Sequence, residues 1–584
     1  EVTTIQDLSG VTGSRVSIDD SVLNAGTANS TEFAGQFTGS GGLTKQGSGT
    51  LLLSGDSSVF TGNTLISNGT LTVNGQLGGV LTVTPSGVLK GIGTVGTTTV
   101  NGFIKPGNSI GTLTVNGNYT QNAGSTYEVE INPQGQSDLI NVLGNATING
   151  GTVAVMEGAG TYLPIRYTVL TAMGGVTGIY DTLTQTLPFL TFELHYDLSS
   201  VYRDIVRSAM AFSSLAITPN QIATANAVTS LGDGNPVYNA VLNVSNASEA
   251  QQAFNALSGE AHAAMLGTWL EDSRYVRHAT LDRLDQALLP TGSLLKDKLG
   301  ARAVISPSGV ALWGQAFGAW GQRDSNGNAA AVSRDTSGVF LGADNDIGSL
   351  VRAGVLGGYS KAHMDVTARY SQANSDDYYL GLYAGKTMNR WIAKSGAVYT
   401  WHELDMNRSV NFKGFSNSLK SDYTGHTAQV FAELAYDAPI KSMTLQPFVG
   451  LAYVDTRSGQ WSERGGAAAL KGNNSADIFY SSVGAKQAMA LYNAEKVSIY
   501  EKSALAWRHA YSDTSFKSTF AFIGGGLPFD IQGAPMAQDS LLIDAGITLE
   551  LPAKRLNLRL AYLGQIASNL QDNGLSATFS YLLD

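Results

Sequence analysis

Residues 428–436 read AQVFAELAY, and their alternation decides the fold. Ala428, Val430, Ala432, Leu434 and Tyr436 share one face, while Gln429, Phe431, Glu433 and Ala435 share the other. A period of two is the signature of a β-strand. The pattern recurs at 556–562, where Leu556, Leu558, Leu560 and Tyr562 oppose Asn557, Arg559 and Ala561. It recurs again at 575–583, where Leu575, Ala577, Phe579, Tyr581 and Leu583 oppose Ser576, Thr578 and Ser580. A soluble sandwich also alternates. Glu433 and Arg559 sit mid-strand on the polar face, which suits a wet lumen enclosed by lipid-facing residues.

Connection lengths decide between the two. Twelve strands are predicted near 309–321, 334–346, 349–362, 376–387, 390–405, 422–437, 442–457, 475–489, 496–511, 538–551, 555–567 and 574–583. The odd connections up to the ninth run to about a dozen residues or more, and the even ones are tight, as in an outer-membrane barrel. An even strand count places both ends on the short-turn side. Closure is required because an open edge in lipid leaves backbone groups unpaired.

Composition agrees. Only 14% of the 584 residues are charged, Gly numbers 68, and the net charge is −10 without a basic block, which disfavours nucleic acid. No apolar run is long enough for a transmembrane helix. The absence of cysteine suits a chain crossing an oxidising compartment unfolded, although bacterial chains are often poor in cysteine. No leader is visible at Glu1-Val2-Thr3, so the chain reads as a mature one.

Residues 1–200 have another rhythm. GGLTKQGSGTLLLSG (Gly41–Gly55), NTLISNGTLTVNG (Asn63–Gly75) and NATINGGTVAV (Asn145–Val155) each join a few apolar or β-branched residues to a Gly or Asn corner. Stacked rungs of a right-handed parallel β-helix fit best, with a sandwich as the alternative. Residues 201–308 are helix-forming, with Pro219 as a start, one helical stretch over Asn246–Leu289, and Pro290 as a stop. Its second half is polar almost all round: Glu271, Asp272, Arg274, Arg277, His278, Asp282, Arg283 and Asp285. Glu271/Arg274 and His278/Asp282 have the spacing of intrahelical pairs. A barrel whose first strand starts on the short-turn side needs a connection from the display side. A pore helix over about 265–289 supplies it, its polar surface facing the lumen.

The resemblance rests on several motifs. LWGQAFGAWGQ opens a stretch, Leu312–Ser360, that resembles the first three strands of the autotransporter β-domain. Phe529–Leu583 is similar to its last three, and NALSGEAHAAM (Asn255–Met265) to the segment before the pore helix. The Gly41–Gly55 stretch resembles the passenger-associated transport repeat. Phe103–Ile131, Ser137–Val155 and Tyr167–Tyr180 resemble a pertactin-type autochaperone, placed at about 90–190. The resemblance implies a β-helical passenger over 1–200, a linker and pore helix over 201–308, and a translocator barrel over 309–584. It implies a monomeric barrel in the outer membrane of a Gram-negative bacterium, displaying its own passenger at the surface. The partners implied are outer-membrane lipid and lipopolysaccharide, the barrel-assembly machinery, periplasmic chaperones, and a host or bacterial surface ligand for an adhesive or virulence-related passenger. A second reading makes the chain the stem and translocator of a surface protease or esterase. The assembly signal maps to Phe579, Tyr581 and Leu583, although the family ends on an aromatic residue and this chain on Leu583-Asp584.

No catalytic, cofactor or metal site is expected within the chain. GDSS (Gly55–Ser58) is similar to a lipase nucleophile motif but sits on a corner of the repeat with no Asp-x-x-His beside it. Seven scattered histidines form no metal-binding motif. Residues 250–290 contain no Asn-Asn, at which some family members cut themselves. Trp313, Trp320, Trp391, Trp401 and Tyr399 are candidates for the interfacial girdles, with packing in the barrel wall as the competing reading.

Overall fold

Leu51 pairs in register with Leu71, Leu71 with Leu89, Leu89 with Ile104, Ile104 with Tyr127, Tyr127 with Val153 and Val153 with Leu183, every pairing parallel. This ladder is the spine of the N-terminal unit in the computed structural model, which describes residues 1–184, 187–288, 309–347, 351–440, 443–494, 496–511 and 513–583. The chain divides into two units, Glu1–Ala211 with Asn239–Ala247 and Phe212–Tyr238 with Ser248–Asp584.

In the first unit, short strands stack rung upon rung in two long parallel sheets. Leu51, Leu71, Leu89, Ile104, Tyr127 and Val153 are all buried, while the residues between them face outward, as a period of two demands. Corners bring successive rungs into backbone contact. Gly69 has φ +68°, and a Cβ on Gly49 would lie 2.0 Å from the Asn29 carbonyl oxygen. Only glycine is tolerated there. Lys45 turns inward at such a corner, and its Nζ donates to the carbonyls of Gln46 (2.8 Å), Gly47 (2.9 Å) and Asn68 (3.1 Å). The stack does not stop at residue 200. Arg166–Ala172 pairs antiparallel with Ser200–Arg207, which pairs antiparallel with Leu190–Tyr196. A boundary at 200 would cut this hairpin, which covers an edge of the parallel ladder.

The second unit contains twelve long antiparallel strands: Ala311–Arg323, Val332–Ile347, Val351–Val366, Ser371–Met388, Trp391–Phe412, Phe415–Tyr436, Met443–Ser458, Ser475–Ala494, Val497–Ala510, Asp539–Leu551, Leu556–Ile566 and Leu570–Leu582. Each pairs with the next. The last closes onto the first over all 13 residues of Ala311–Arg323, so no edge remains. Apolar side chains such as Leu341, Leu382, Val430, Leu451, Leu505 and Leu560 point outward and are exposed.

The strands outrun their predicted ends, and two expected long loops are absorbed into them. The fifth and sixth strands meet at Lys413-Gly414, and the third connection is only Thr367–Tyr370. Beyond the belt the alternation continues with its sense reversed. Leu404, Met406, Val410 and Phe412 are buried, while Glu403 and Asp405 face out. The seventh and ninth connections contribute a separate four-stranded sheet, Trp461–Ser462, Leu470–Asn473, Lys517–Phe522 and Gly525–Gln532.

Trp320, Trp391, Tyr399 and Trp401 face outward, but Trp313 does not. It is 1% exposed and donates from Nε1 to Tyr383 Oη at 2.6 Å. Seven residues separate it from Trp320, and an odd spacing puts two side chains on opposite faces of a strand.

Among the described residues, four α-helices lie in the chain between the stacked rungs and the first barrel strand: α1 (Pro219–Leu231), α2 (Pro236–Leu242), α3 (Ala247–Leu257) and α4 (Glu260–Ala287). Thr218 caps α1, its side chain accepting from the Gln221 N–H, with Pro219 in the first turn. The single helical stretch expected over 246–289 is broken at Gly259, whose φ of +71° takes the chain out of helix before α4 begins. The pore helix therefore starts at Glu260 rather than near 265. Leu289 and Pro290, its expected end and stop, lie outside the described residues.

Candidate functional site

Helix α4 runs through the lumen from the loop end to the short-turn end. At its start, Glu260 accepts from the backbone N–H of Ala330 (2.5 Å) and from Arg369 Nε (3.0 Å), residues beside the first and third connections. At its end, the Leu288 carbonyl accepts from Thr387 Oγ1 at 3.1 Å, beside the tight turn between Met388 and Trp391. Its 28 residues rise about 42 Å at 1.5 Å each, more than the hydrocarbon core of about 30 Å. Twenty-two of them are buried.

The charges on α4 pair with the wall, not with each other. Glu271 meets Arg508 of the ninth strand at 3.4 Å, and Arg274 meets Asp572 of the twelfth at 3.1 Å. Asp272 pairs with Arg334 of the second strand. Arg277 NH1 donates to Gln429 Oε1 at 2.7 Å. His278 Nε2 lies 2.8 Å from Asp544 of the tenth strand, and Asp282 2.7 Å from Lys502 of the ninth. Arg283 grips Asp344 with two hydrogen bonds of 2.7 and 2.8 Å. Asp285 receives Lys394 and, at 2.7 Å, Lys486. The intrahelical pairs Glu271/Arg274 and His278/Asp282 are thus replaced by partners from strands on all sides. A helix polar on every face is stable here because every face meets a polar wall. Removing one member of a buried pair typically costs about 3–5 kcal/mol, because the other charge is left stranded.

Higher on the helix the fit is steric. Trp269 stacks on His402 with ring centres 4.4 Å apart and donates from Nε1 to Ser375 Oγ at 3.0 Å. A Cβ on Gly425 would lie 2.7 Å from the Trp269 ring, so only glycine leaves room for it. Gly267 serves the reciprocal purpose on the helix, where a Cβ would lie 2.1 Å from Arg323 NH1. His402 Nδ1 lies 2.7 Å from Asp377 Oδ1, and its Nε2 lies 2.8 Å from Thr427 Oγ1. That is the spacing of an Asp–His–hydroxyl relay, but all three residues are buried and Trp269 covers the imidazole. The array seats the helix rather than offering a nucleophile to a substrate. At the loop end, His262 stacks on Trp461 at 3.7 Å and lies 3.0 Å from Glu463, which Arg408 holds from the other side at 2.7 Å.

The other singled-out residues lie apart. Phe579 and Tyr581 point outward on the last strand, 42% and 41% exposed, and Leu583 follows at 38%. Ser57 of GDSS is buried, its Oγ accepting from the Phe37 N–H at 2.8 Å, and Asp56 accepts from the Ser58 N–H. The motif therefore builds a corner. Apart from Glu433 and Arg559, the wall partners Arg334, Asp344, Lys394, Lys486, Lys502, Arg508, Asp544 and Asp572 were not singled out by sequence. The available signal was a charge in mid-strand at inward parity.

Comparison with known proteins adds the following. The autotransporter beta-domain family matches residues 312–563, and the passenger-associated-transport-repeat family matches residues 43–73. Two extracellular serine proteases of Serratia marcescens are 32% and 30% identical over 94% of this chain. The chain spans about half the length of these relatives, 56% of each. Esterase EstA of Pseudomonas aeruginosa is 28% identical over 27% of this chain and 26% of its own length. Among solved structures, the translocator domain of autotransporter NalP from Neisseria meningitidis is matched over 54% of this chain and 99% of that one, at 14% identity and a TM-score of 0.40. The transport unit of autotransporter AIDA-I from Escherichia coli is matched over 47% and 90%, at 14% identity and a TM-score of 0.33.

Proposed function

This chain belongs to the autotransporter family and is an outer-membrane protein of a Gram-negative bacterium; from that premise we propose that its barrel carries the N-terminal stem to the cell surface and then keeps α4 as the tether. The observation that carries this reading is the path of α4, which enters at the loop end and leaves at the short-turn end. No nucleotide is available outside the membrane, so folding of the stem supplies direction. Each rung buries apolar surface at about 25 cal/mol per Å² and templates the next. The hairpin of Leu190–Tyr196 and Ser200–Arg207 and the rungs from about 90 to 190 act as the nucleus. Phe579, Tyr581 and Leu583, at the end of the closing strand, present the signal to the assembly machinery, and lipopolysaccharide surrounds the outward belt.

The relatives bear on the nature of the passenger. The Serratia marcescens proteins are named as extracellular serine proteases, which favours the stem and translocator of a surface hydrolase over an adhesin.

Three experiments test these readings. A membrane-impermeant amine label applied to whole cells should modify lysines of the stem; a stem left unlabelled on intact cells but labelled after lysis would refute surface display. Deleting Gly111–Tyr180 should leave a folded barrel with a protease-sensitive stem, and normal protease resistance in that deletion would refute the nucleus. For the hydrolase reading, a fluorophosphonate probe applied to cells expressing the full-length gene should label a polypeptide that includes this stem; no labelling favours the adhesin.

A further inference from the structure

Most cations of the lumen have a carboxylate partner. Arg283 and Arg352 share Asp344; Arg274 and Arg334 share Asp272 and Asp572; Lys394 and Lys486 share Asp285 and Glu433. Lys502 and Arg559 share Asp282 and Asp544, and Arg508 meets Glu271. Among the described residues this leaves two lumen arginines with no carboxylate partner. Arg323 donates NH2 to the Ala264 carbonyl at 3.3 Å, while its Nε and NH1 have no partner. Arg277 has Gln429. A guanidinium cannot shed its proton to escape burial, and a stranded charge in a low-dielectric interior costs several kcal/mol.

Arg277 stands beside a cavity of about 160 Å³ whose wall includes Arg274, Arg508 and Tyr480. The Arg508 and Arg277 guanidinium groups lie 4.5 and 5.9 Å from the Tyr480 ring centre. Tyr480 is 1% exposed, and neither its hydroxyl nor Arg274 Nε has a hydrogen-bond partner. Three arginines and a free hydroxyl thus line one cavity, with Lys486 and Lys502 further along its wall. Water could occupy it but would not offset the charge.

We propose that this cavity binds one small monovalent inorganic anion of halide size, held by N–H donors of Arg277 and Arg508 and by the Tyr480 hydroxyl. The cavity wall also carries Asp282, Asp285, Glu433 and Asp544. These carboxylates disfavour a multiply charged oxyanion, and about 160 Å³ admits nothing much larger than benzene, so an anion the size of gluconate is excluded. The anion links α4, through Arg277, to the eighth and ninth strands, which carry Tyr480 and Arg508. It therefore adds to the retention of the helix, whatever the passenger does.

The test uses the full chain in detergent, with barrel unfolding followed by gel mobility after heating. The unfolding midpoint should be higher in sodium chloride or bromide than in sodium gluconate of equal ionic strength, by roughly 3 °C or more. Crystals grown in bromide should show an anomalous peak between the Arg277 and Arg508 guanidinium groups. Arg277→Gln should abolish both the halide dependence and the peak, while Arg166→Gln in the stem should leave both intact. Equal midpoints in halide and gluconate, a bromide peak elsewhere in the lumen, or halide dependence that survives Arg277→Gln would each overturn the proposal.

Discussion

The stem and the barrel alternate with the same period and fill their interiors with opposite chemistry. In the stem, Tyr127 and Val153 point inward and threonines such as Thr126 and Thr152 flank them. In the barrel, Glu433 and Lys394 point inward and Leu434 faces out. The backbone rule is shared, and the surrounding medium differs. Where water lies outside, apolar area is hidden inside. Where lipid lies outside, polar groups have no other refuge. The fifth barrel strand contains both regimes, with Lys394 inside and Tyr399 outside in the belt, then Leu404 inside and Glu403 outside above it.

The contrast can be broken most severely from the barrel's interior. Asp344→Ala strands Arg283, leaves Arg352 with Asp346 as its carboxylate partner, and removes the acceptor of the Tyr383 hydroxyl. Urea unfolding of the barrel in detergent should register a loss of about 3–5 kcal/mol. In the stem the corresponding lesion is apolar. Leu89→Ala opens a cavity in the spine and should cost about 2–5 kcal/mol, read as urea or trypsin sensitivity confined to the stem.

The exteriors sharpen the comparison next. Leu560→Arg places a charge on the lipid face near the middle of its strand and should cost about 2–4 kcal/mol. Thr112→Arg, on an exposed stem position, should fall within about 0.5 kcal/mol of the parent. If both substitutions are equally mild, the outward belt does not face lipid.

A pH effect comes next. Asp138 lies in the stem interior, and burial pushes its carboxyl up to about 7, against N–H donors from Glu130 and Gly111. An unfolded aspartate titrates near 3.9, so between these values the folded stem holds the extra proton. Stability is therefore fully present below about 4 and is lost as pH rises through about 7. Urea midpoints of the stem should fall between pH 5 and 8, and Asp138→Asn should flatten that fall. Smallest of all, Arg166→Ala removes a two-pronged contact to Asp204 from an arginine whose side chain is 56% exposed. The loss should be below about 1 kcal/mol.

Much of this was legible because it is local. Alternation over 428–436, 556–562 and 575–583 assigned the inner and outer faces, since a strand has only two. Gly corners marked the rungs, since few other residues accept a positive φ; the stem's asparagines accompany those corners without taking a positive φ themselves. The girdle reading of Trp313 failed on information already present, the odd spacing to Trp320. The extra length of the fifth and sixth strands was missed because their apolar and polar faces exchange above the belt, which reads as a break in pattern.

The sequence alone determined the period, the faces, the strand count and the presence of a helix charged on all sides. Only the tertiary structure decided which charge meets which. Glu271 and Arg274 lie three residues apart and are neighbours on the helix, yet their partners are Arg508 and Asp572, more than two hundred residues away. Local spacing fixes what a side chain could reach on its own element. Closing twelve strands around the helix puts opposite charges nearer than any neighbour along the chain, and inside a low-dielectric lumen distance and desolvation, not sequence separation, set the pairing.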